Sequence, residues 1–207
     1  MVARRLMAVL MFAGLISLLG CAASHVAIPE DQLSVSPGSF VTLNGNRITL
    51  AGQPIVVGYP LPSVKLMDSA SMKAVDISTL KGDVLFLNIV PSIDTKVCEA
   101  QTHYLADRGG KMPPQVKRIV ISRDSPFAQM RFAKEAKLTD FRYLSDQAQG
   151  AFGRATCLLM EGDLMLLTRA IVIADRGGIV RYIQVVPEIT HLPDMERAFQ
   201  EAEKLAR

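Results

Sequence analysis

The spacing of apolar and polar residues changes along this chain, and the changes divide it into elements. Val84–Val90 (VLFLNIV) is an almost unbroken apolar run, the pattern of a strand covered on both faces. Lys117–Ser122 (KRIVIS) predicts a second buried strand, and Phe141–Leu144 a short third. Thr95–Asp107 and Phe127–Lys137 predict helices between them, the second capped by Asp124 or Ser125 with Pro126 in its first turn. Asp146–Phe152 predicts a short helix. Phe40–Leu43 and Arg47–Leu50 flank Asn44-Gly45-Asn46, residues that accept positive φ, and so predict a hairpin. Arg169–Ala174 and Ile179–Val186 predict another around Asp175-Arg176-Gly177-Gly178, while Gly52–Pro62 reads as a connection. Pro193–Ala206 closes the chain as an amphipathic helix with Met195, Phe199, Ala202 and Leu205 on one face. Strands alternating with helices, followed by a hairpin and a last helix, predict an α/β domain whose mixed central sheet carries helices on both sides.

The first residues break this pattern. Arg4 and Arg5 precede an apolar run of 14 residues, Leu6–Leu19. A membrane-spanning helix needs about 20 such residues, so the run suits the core of a signal peptide. Leu18-Leu19-Gly20-Cys21 resembles a bacterial lipobox, in which cleavage before the cysteine is followed by its lipid modification. An ordinary secretory signal or a retained membrane anchor would share the apolar run. The expected organisation is a signal peptide over 1–20, a flexible tether over 21–39 and one domain over 40–207. Acyl chains on Cys21 would hold the protein at a membrane by burying methylenes, at roughly 0.8 kcal/mol each. The expected location is the periplasmic face of a bacterial membrane, and Ala22 after the cysteine points to the outer one.

Composition narrows the function. With 49% apolar and 21% charged residues, the chain can form a packed core. Setting aside Arg4 and Arg5 from the 23 basic residues leaves 21 against 20 acidic ones, so no basic footprint for nucleic acid exists. Three cysteines are too few for a disulfide scaffold, and each needs its own explanation. His103 and His191 stand alone without ligand-like spacing, and no metal or cofactor is expected.

The chemically informative stretch is Val90–Thr102 (VPSIDTKVCEAQT), where a buried strand ends and a helix begins. Pro91 ends the strand ladder, and Asp94 or Thr95 can cap the helix. Cys98 then falls in the first helical turn, where free N–H groups and the helix dipole favour a thiolate. A thiolate can attack a hydroperoxide oxygen, giving a sulfenic acid and water or an alcohol. The spacing allows the Thr95 hydroxyl to reach the sulfur, and Pro91 to wall the site from water. A cation has to come from elsewhere in the chain. Glu99 and Gln101 read as helix surface.

Pro91, Thr95 and Cys98 match the PxxxTxxC pattern, and the chain resembles the peroxiredoxin family, closest to its thiol peroxidase branch. Ser125-Pro126-Phe127-Ala128-Gln129 with Arg131-Phe132, Leu166–Ala170 (LLTRA) and Val186–Thr190 (VPEIT) extend the likeness over most of residues 40–200. The resemblance implies a thioredoxin-like fold with Cys98 as the cysteine attacking a hydroperoxide substrate. It implies that Thr95 binds sulfur and peroxide, that Pro91 shields the site, and that Arg169 supplies the guanidinium. It also implies a thioredoxin-like or other thiol reductant and a homodimer formed beside the site.

The likeness breaks at one position. Many thiol peroxidases carry a second, resolving cysteine after the PFAQxRF run, where this chain has Ala133. Either Cys98 works alone with an outside thiol, or Cys157 resolves its sulfenic acid. A buried structural thiol is the competing reading of Cys157. A thiol-disulfide oxidoreductase is disfavoured by the lack of a C-x-x-C pair. A peroxide sensor or a non-catalytic lipoprotein of the same fold would also carry these elements.

Overall fold

The computed structural model describes residues 27–163 and 165–207. The expected signal peptide, Cys21 and the start of the tether lie outside the described residues. In chain order the elements are β1 (Glu30–Asp31), β2 (Phe40–Leu43), β3 (Asn46–Ala51), β4 (Lys65–Asp68), β5 (Lys73–Asp76), β6 (Val84–Ile89), α1 (Lys96–Gly109), β7 (Val116–Ser122), α2 (Pro126–Glu135), β8 (Arg142–Ser145), α3 (Ala151–Thr156), β9 (Leu159–Met160), β10 (Ala170–Ala174), β11 (Val180–Val185), β12 (Leu192–Pro193) and α4 (Met195–Ala206).

Seven strands form the central sheet in the order β11-β10-β6-β7-β8-β4-β5. Strands β6, β7 and β8 are parallel neighbours, and β10 and β4 join this block antiparallel. All of β6 is buried, as its continuous apolar run requires. Its side chains alternate between two cores. Leu85, Leu87 and Ile89 meet the β2–β3 side, whereas Val84 and Phe86 meet α1, α2 and α4. The predicted apolar face of α4 is in place: Met195, Phe199 and Ala202 are buried, and Phe199 stacks on Phe86 at 5.4 Å between ring centroids.

Three sequence expectations shift. The short helix begins at Ala151 rather than Asp146, because Gly150 sits at φ 63° and interrupts the turn. Asp146 instead caps that helix from a distance, accepting from the N–H groups of Phe152 at 2.9 Å and Gly153 at 3.0 Å. Hairpin β4–β5 was not foreseen; its turn, Ser69–Met72, has no Gly or Asn, and the Asp68 carboxylate closes it by accepting from the Ala70 and Ser71 N–H groups. The described part of the expected tether is seated on the domain. Its β1 pairs with β12, the Val35 N–H donates to the Val185 carbonyl at 3.0 Å, and Gln184 donates to the Asp31 and Leu33 carbonyls. No helix among the described residues is long and apolar enough to cross a membrane.

Candidate active site

The site forms where β6 gives way to α1. Val90 still pairs with β7 through its N–H to the Ile121 carbonyl, and Pro91, buried, then ends the ladder. The turn that follows is braced from the start of α2. The Asp124 carboxylate accepts from the Ser92 hydroxyl at 2.8 Å and the Ile93 N–H at 2.9 Å. Of the two expected caps, Asp124 and Ser125, it is Ser125 that takes the role, accepting from the Ala128 N–H. Asp124 is thereby free to hold the turn that leads into Cys98.

Thr95 occupies the N-cap position of α1 in extended conformation, but its side chain makes no capping bond. Its hydroxyl is exposed and donates to the Ser92 carbonyl at 3.2 Å, with no hydrogen bond to Cys98 among the described residues. Asp94 does not cap the helix either; its carboxylate pairs with Arg131 at 3.3 Å on the surface. Cys98 is the third residue of the helix, where backbone N–H groups lack intrahelical partners and the helix dipole is positive. Its side chain is 1% exposed and packs with Val90, Ile93 and Leu105.

The cation comes from the start of β10. Arg169 lies 71 residues further along the chain, is 2% exposed, and donates from Nη2 to Cys98 Sγ at 3.4 Å. Its remaining nitrogens are fixed as well. Nε donates to the Ile189 carbonyl at 2.9 Å, and Nη1 to Gln101 Oε1. Gln101 is completely buried, which corrects its reading as helix surface. Its Nε2 donates to Asn88 Oδ1 in β6 at 2.6 Å, so a polar chain links the strand, the helix and the guanidinium. A polar Asn88 inside the VLFLNIV run was the available sequence signal, because a buried amide needs partners. Glu99 is exposed, as expected.

Cys157 is placed elsewhere. It ends α3 at φ 55°, buried against the Leu50 carbonyl and beside Gly38, where a side-chain carbon would lie 3.3 Å from its sulfur. Burial, and then Glu161, push its thiol above the ordinary range. Leu50 and Leu158 belong to the core on one face of the central sheet and Cys98 to the core on the other. A disulfide needs α-carbons within roughly 7 Å, and a sheet separates these two residues. Both cysteines are free. The structure therefore does not bring the two candidate redox cysteines together.

A Redoxin family model matches residues 56–199. The chain belongs to the peroxiredoxin family. Within it, this peroxiredoxin falls in the thiol peroxidase branch. It is 35% identical to the thiol peroxidase of Halalkalibacterium halodurans over 162 residues, covering 78% of this chain and 96% of that protein. It is 32% identical to the thiol peroxidase of Bacillus subtilis over 167 residues, or 81% and 98% of the two chains. Among solved structures, a peroxiredoxin-like protein from Aquifex aeolicus superposes with a TM-score of 0.74 at 32% identity, covering 80% of this chain and 96% of that one.

The loop after β11 also carries an acid-sensitive joint. Glu188 accepts from the N–H groups of Asn44 and Gly45 and from the hydroxyls of Thr42 and Thr190. Partial burial works against its charge, but these donors outweigh that and hold its carboxyl at about 2, below the ordinary 4.5. The folded value is the lower one, so the stabilisation is fully present above 4.5 and is lost as pH falls through about 2. Urea midpoints measured across this window should fall less steeply for Glu188→Gln than for the parent. Equal slopes would show that the joint does not contribute.

Proposed function

We propose that this peroxiredoxin reduces hydrogen peroxide or organic hydroperoxides, with Cys98 as the attacking residue and without a second cysteine from its own chain. The observation that carries the reading is the Arg169 Nη2 contact on Cys98 Sγ at the first turn of α1. A guanidinium and unpaired N–H groups both favour the thiolate. The thiolate attacks the terminal peroxide oxygen. A sulfur–oxygen bond forms, the oxygen–oxygen bond breaks, and the departing oxygen leaves as water or alcohol after taking a proton. Arg169, already aimed at the sulfur, stabilises the negative charge spreading over the two oxygens. Pro91 limits access of water, and Thr95 reaches the peroxide after its hydroxyl turns from the Ser92 carbonyl. One outside thiol then displaces water from the sulfenic acid, and a second releases Cys98 as a thiol and leaves with the first as a disulfide.

The single-cysteine cycle follows from Ala133 at the usual resolving position and from the sheet between Cys98 and Cys157. Mass spectrometry after one equivalent of peroxide should detect a dimedone-trapped sulfenic acid on Cys98. A Cys98–Cys157 crosslink as the main product would overturn the cycle. Cys157→Ser should retain parental turnover with an excess of thiol, and a large loss would return Cys157 to the mechanism.

The proposal extends to location and assembly. Residues 1–20 read as a lipoprotein signal followed by Cys21 as the lipid-bearing residue, which assigns the enzyme to antioxidant defence of the cell envelope. Its reductant is then a thioredoxin-like thiol of that compartment. A homodimer is supported by Phe127 and Met130, which are exposed on α2. The Arg131–Asp94 pair connects that helix to the turn before Cys98.

A further inference from the structure

Three groups hold the Arg169 guanidinium, and two of them are on α1: the Cys98 sulfur and the Gln101 carboxamide. The third, the Ile189 carbonyl, belongs to the loop after β11, whose start is held to Arg169 by the Val186 N–H on the Arg169 carbonyl. The Ile189 N–H donates to the Thr42 carbonyl at 2.9 Å, and the Thr42 N–H donates to the Pro187 carbonyl at 2.7 Å, which docks the loop on β2. Glu188, between them, completes the joint. Its Oε2 accepts from Thr42 Oγ1 at 2.8 Å and the Gly45 N–H at 3.0 Å. Its Oε1 accepts from the Asn44 N–H at 3.1 Å, the Thr190 N–H at 3.2 Å and Thr190 Oγ1 at 2.8 Å.

Three of these partners are N–H groups that can only donate, at least one on each carboxylate oxygen, so the position favours a group that only accepts. The turn that supplies two of them, Asn44-Gly45, needs positive φ at both residues, 50° and 78°, which aims consecutive N–H groups at one point. We propose that Glu188 is a positioning residue for peroxide attack. By fastening the β2–β3 turn to the 187–190 loop, it keeps the Ile189 carbonyl where Arg169 Nε donates, and so keeps Nη2 on the sulfur. The N-terminal hairpin thereby serves the active site without touching it. The inference rests on the reading that Arg169 and Cys98 act together on peroxide.

The test is a double-mutant cycle on the reduced full chain, with the second-order rate of peroxide attack followed by stopped flow. Glu188→Gln keeps the shape of the side chain but turns one acceptor into a donor that faces at least one N–H group. Displacing a catalytic group by about an ångström costs on the order of 100-fold, so Glu188→Gln should slow attack roughly 10- to 100-fold. Arg169→Lys lacks the Nε donor and should also be slow. The double variant should be no slower than Arg169→Lys alone, because the joint has then lost the group it positions. Independent, multiplying losses would mean that Glu188 acts by general stability, and the proposal fails. Val41→Ala, which weakens the hairpin from its buried side, serves as the stability control. If it slows attack as much as Glu188→Gln at equal loss of melting temperature, the proposal also fails. Should Glu188→Gln not fold, Thr190→Val removes one donor and must show the same non-additivity. If Arg169→Lys attacks at the parental rate, the reading of the site falls and this inference with it. If Arg169→Lys is slow and Glu188→Gln is not, only the inference falls.

Discussion

Cys98→Ser is expected to abolish peroxide consumption while leaving the domain folded. Serine keeps the size and the position in the first turn of α1, but its hydroxyl is not ionised near neutral pH, and oxygen is a far weaker nucleophile toward peroxide than a thiolate. Loss of the attacking atom of an enzyme costs on the order of 10³-fold or more. The melting temperature should move little, since the replaced atom is a single sulfur at a site already lined by a guanidinium nitrogen. Peroxide consumption with an excess of dithiothreitol, compared among the parent, Cys98→Ser and Cys157→Ser, is the direct measurement. If Cys98→Ser consumed peroxide as fast as the parent, the assignment of the attacking residue would be wrong. Loss of activity together with loss of the folded baseline would mean that the variant reports on folding and not on chemistry.

The pattern of the chain revealed the central layer and the position of Cys98 because these depend on local signals. VLFLNIV has the pattern of a doubly covered strand, and a proline followed by a helix places the cysteine in the first turn. What the pattern left out depends on contacts distant in sequence. Arg169 is implied only by the family resemblance; nothing in LLTRA shows that its guanidinium turns inward to meet a sulfur 71 residues away. Gln101 illustrates the same limit. Three positions after the cysteine on a mixed helix, it reads as surface, and only the Asn88 partner in β6 explains its burial. Thr95 shows that correct spacing does not fix a rotamer, because its hydroxyl turns to the Ser92 carbonyl. The role of Asp124 emerges only when the start of α2 is placed over the Ser92–Ile93 turn.

Arg169 is where the second large effect is expected. Its three nitrogens serve three partners, two on α1 and one in the loop after β11, and a planar fork does this in a way that an ammonium cannot. Arg169→Lys keeps a positive charge but can satisfy only part of the set, and peroxide attack should slow on the order of 10²- to 10³-fold, as for other preorganised charge-stabilising donors. Arg169→Met should be slower still, because no cation remains beside the sulfur. It should also be less stable. The Gln101 and Ile189 oxygens would be left buried without that donor, and an orphaned buried acceptor costs about 1–3 kcal/mol. Stopped-flow rates of peroxide attack, paired with urea midpoints for the same proteins, separate the two consequences. A purely structural Arg169 would give a destabilised Met variant that still attacks peroxide at the parental rate. The geometry argues against that outcome, because the Nη2 contact on the sulfur repeats a link to α1 that Gln101 already makes. A buried guanidinium used only as a brace could satisfy Ile189 and Gln101 while turning its last nitrogen away from a thiol. In this fold it turns toward one.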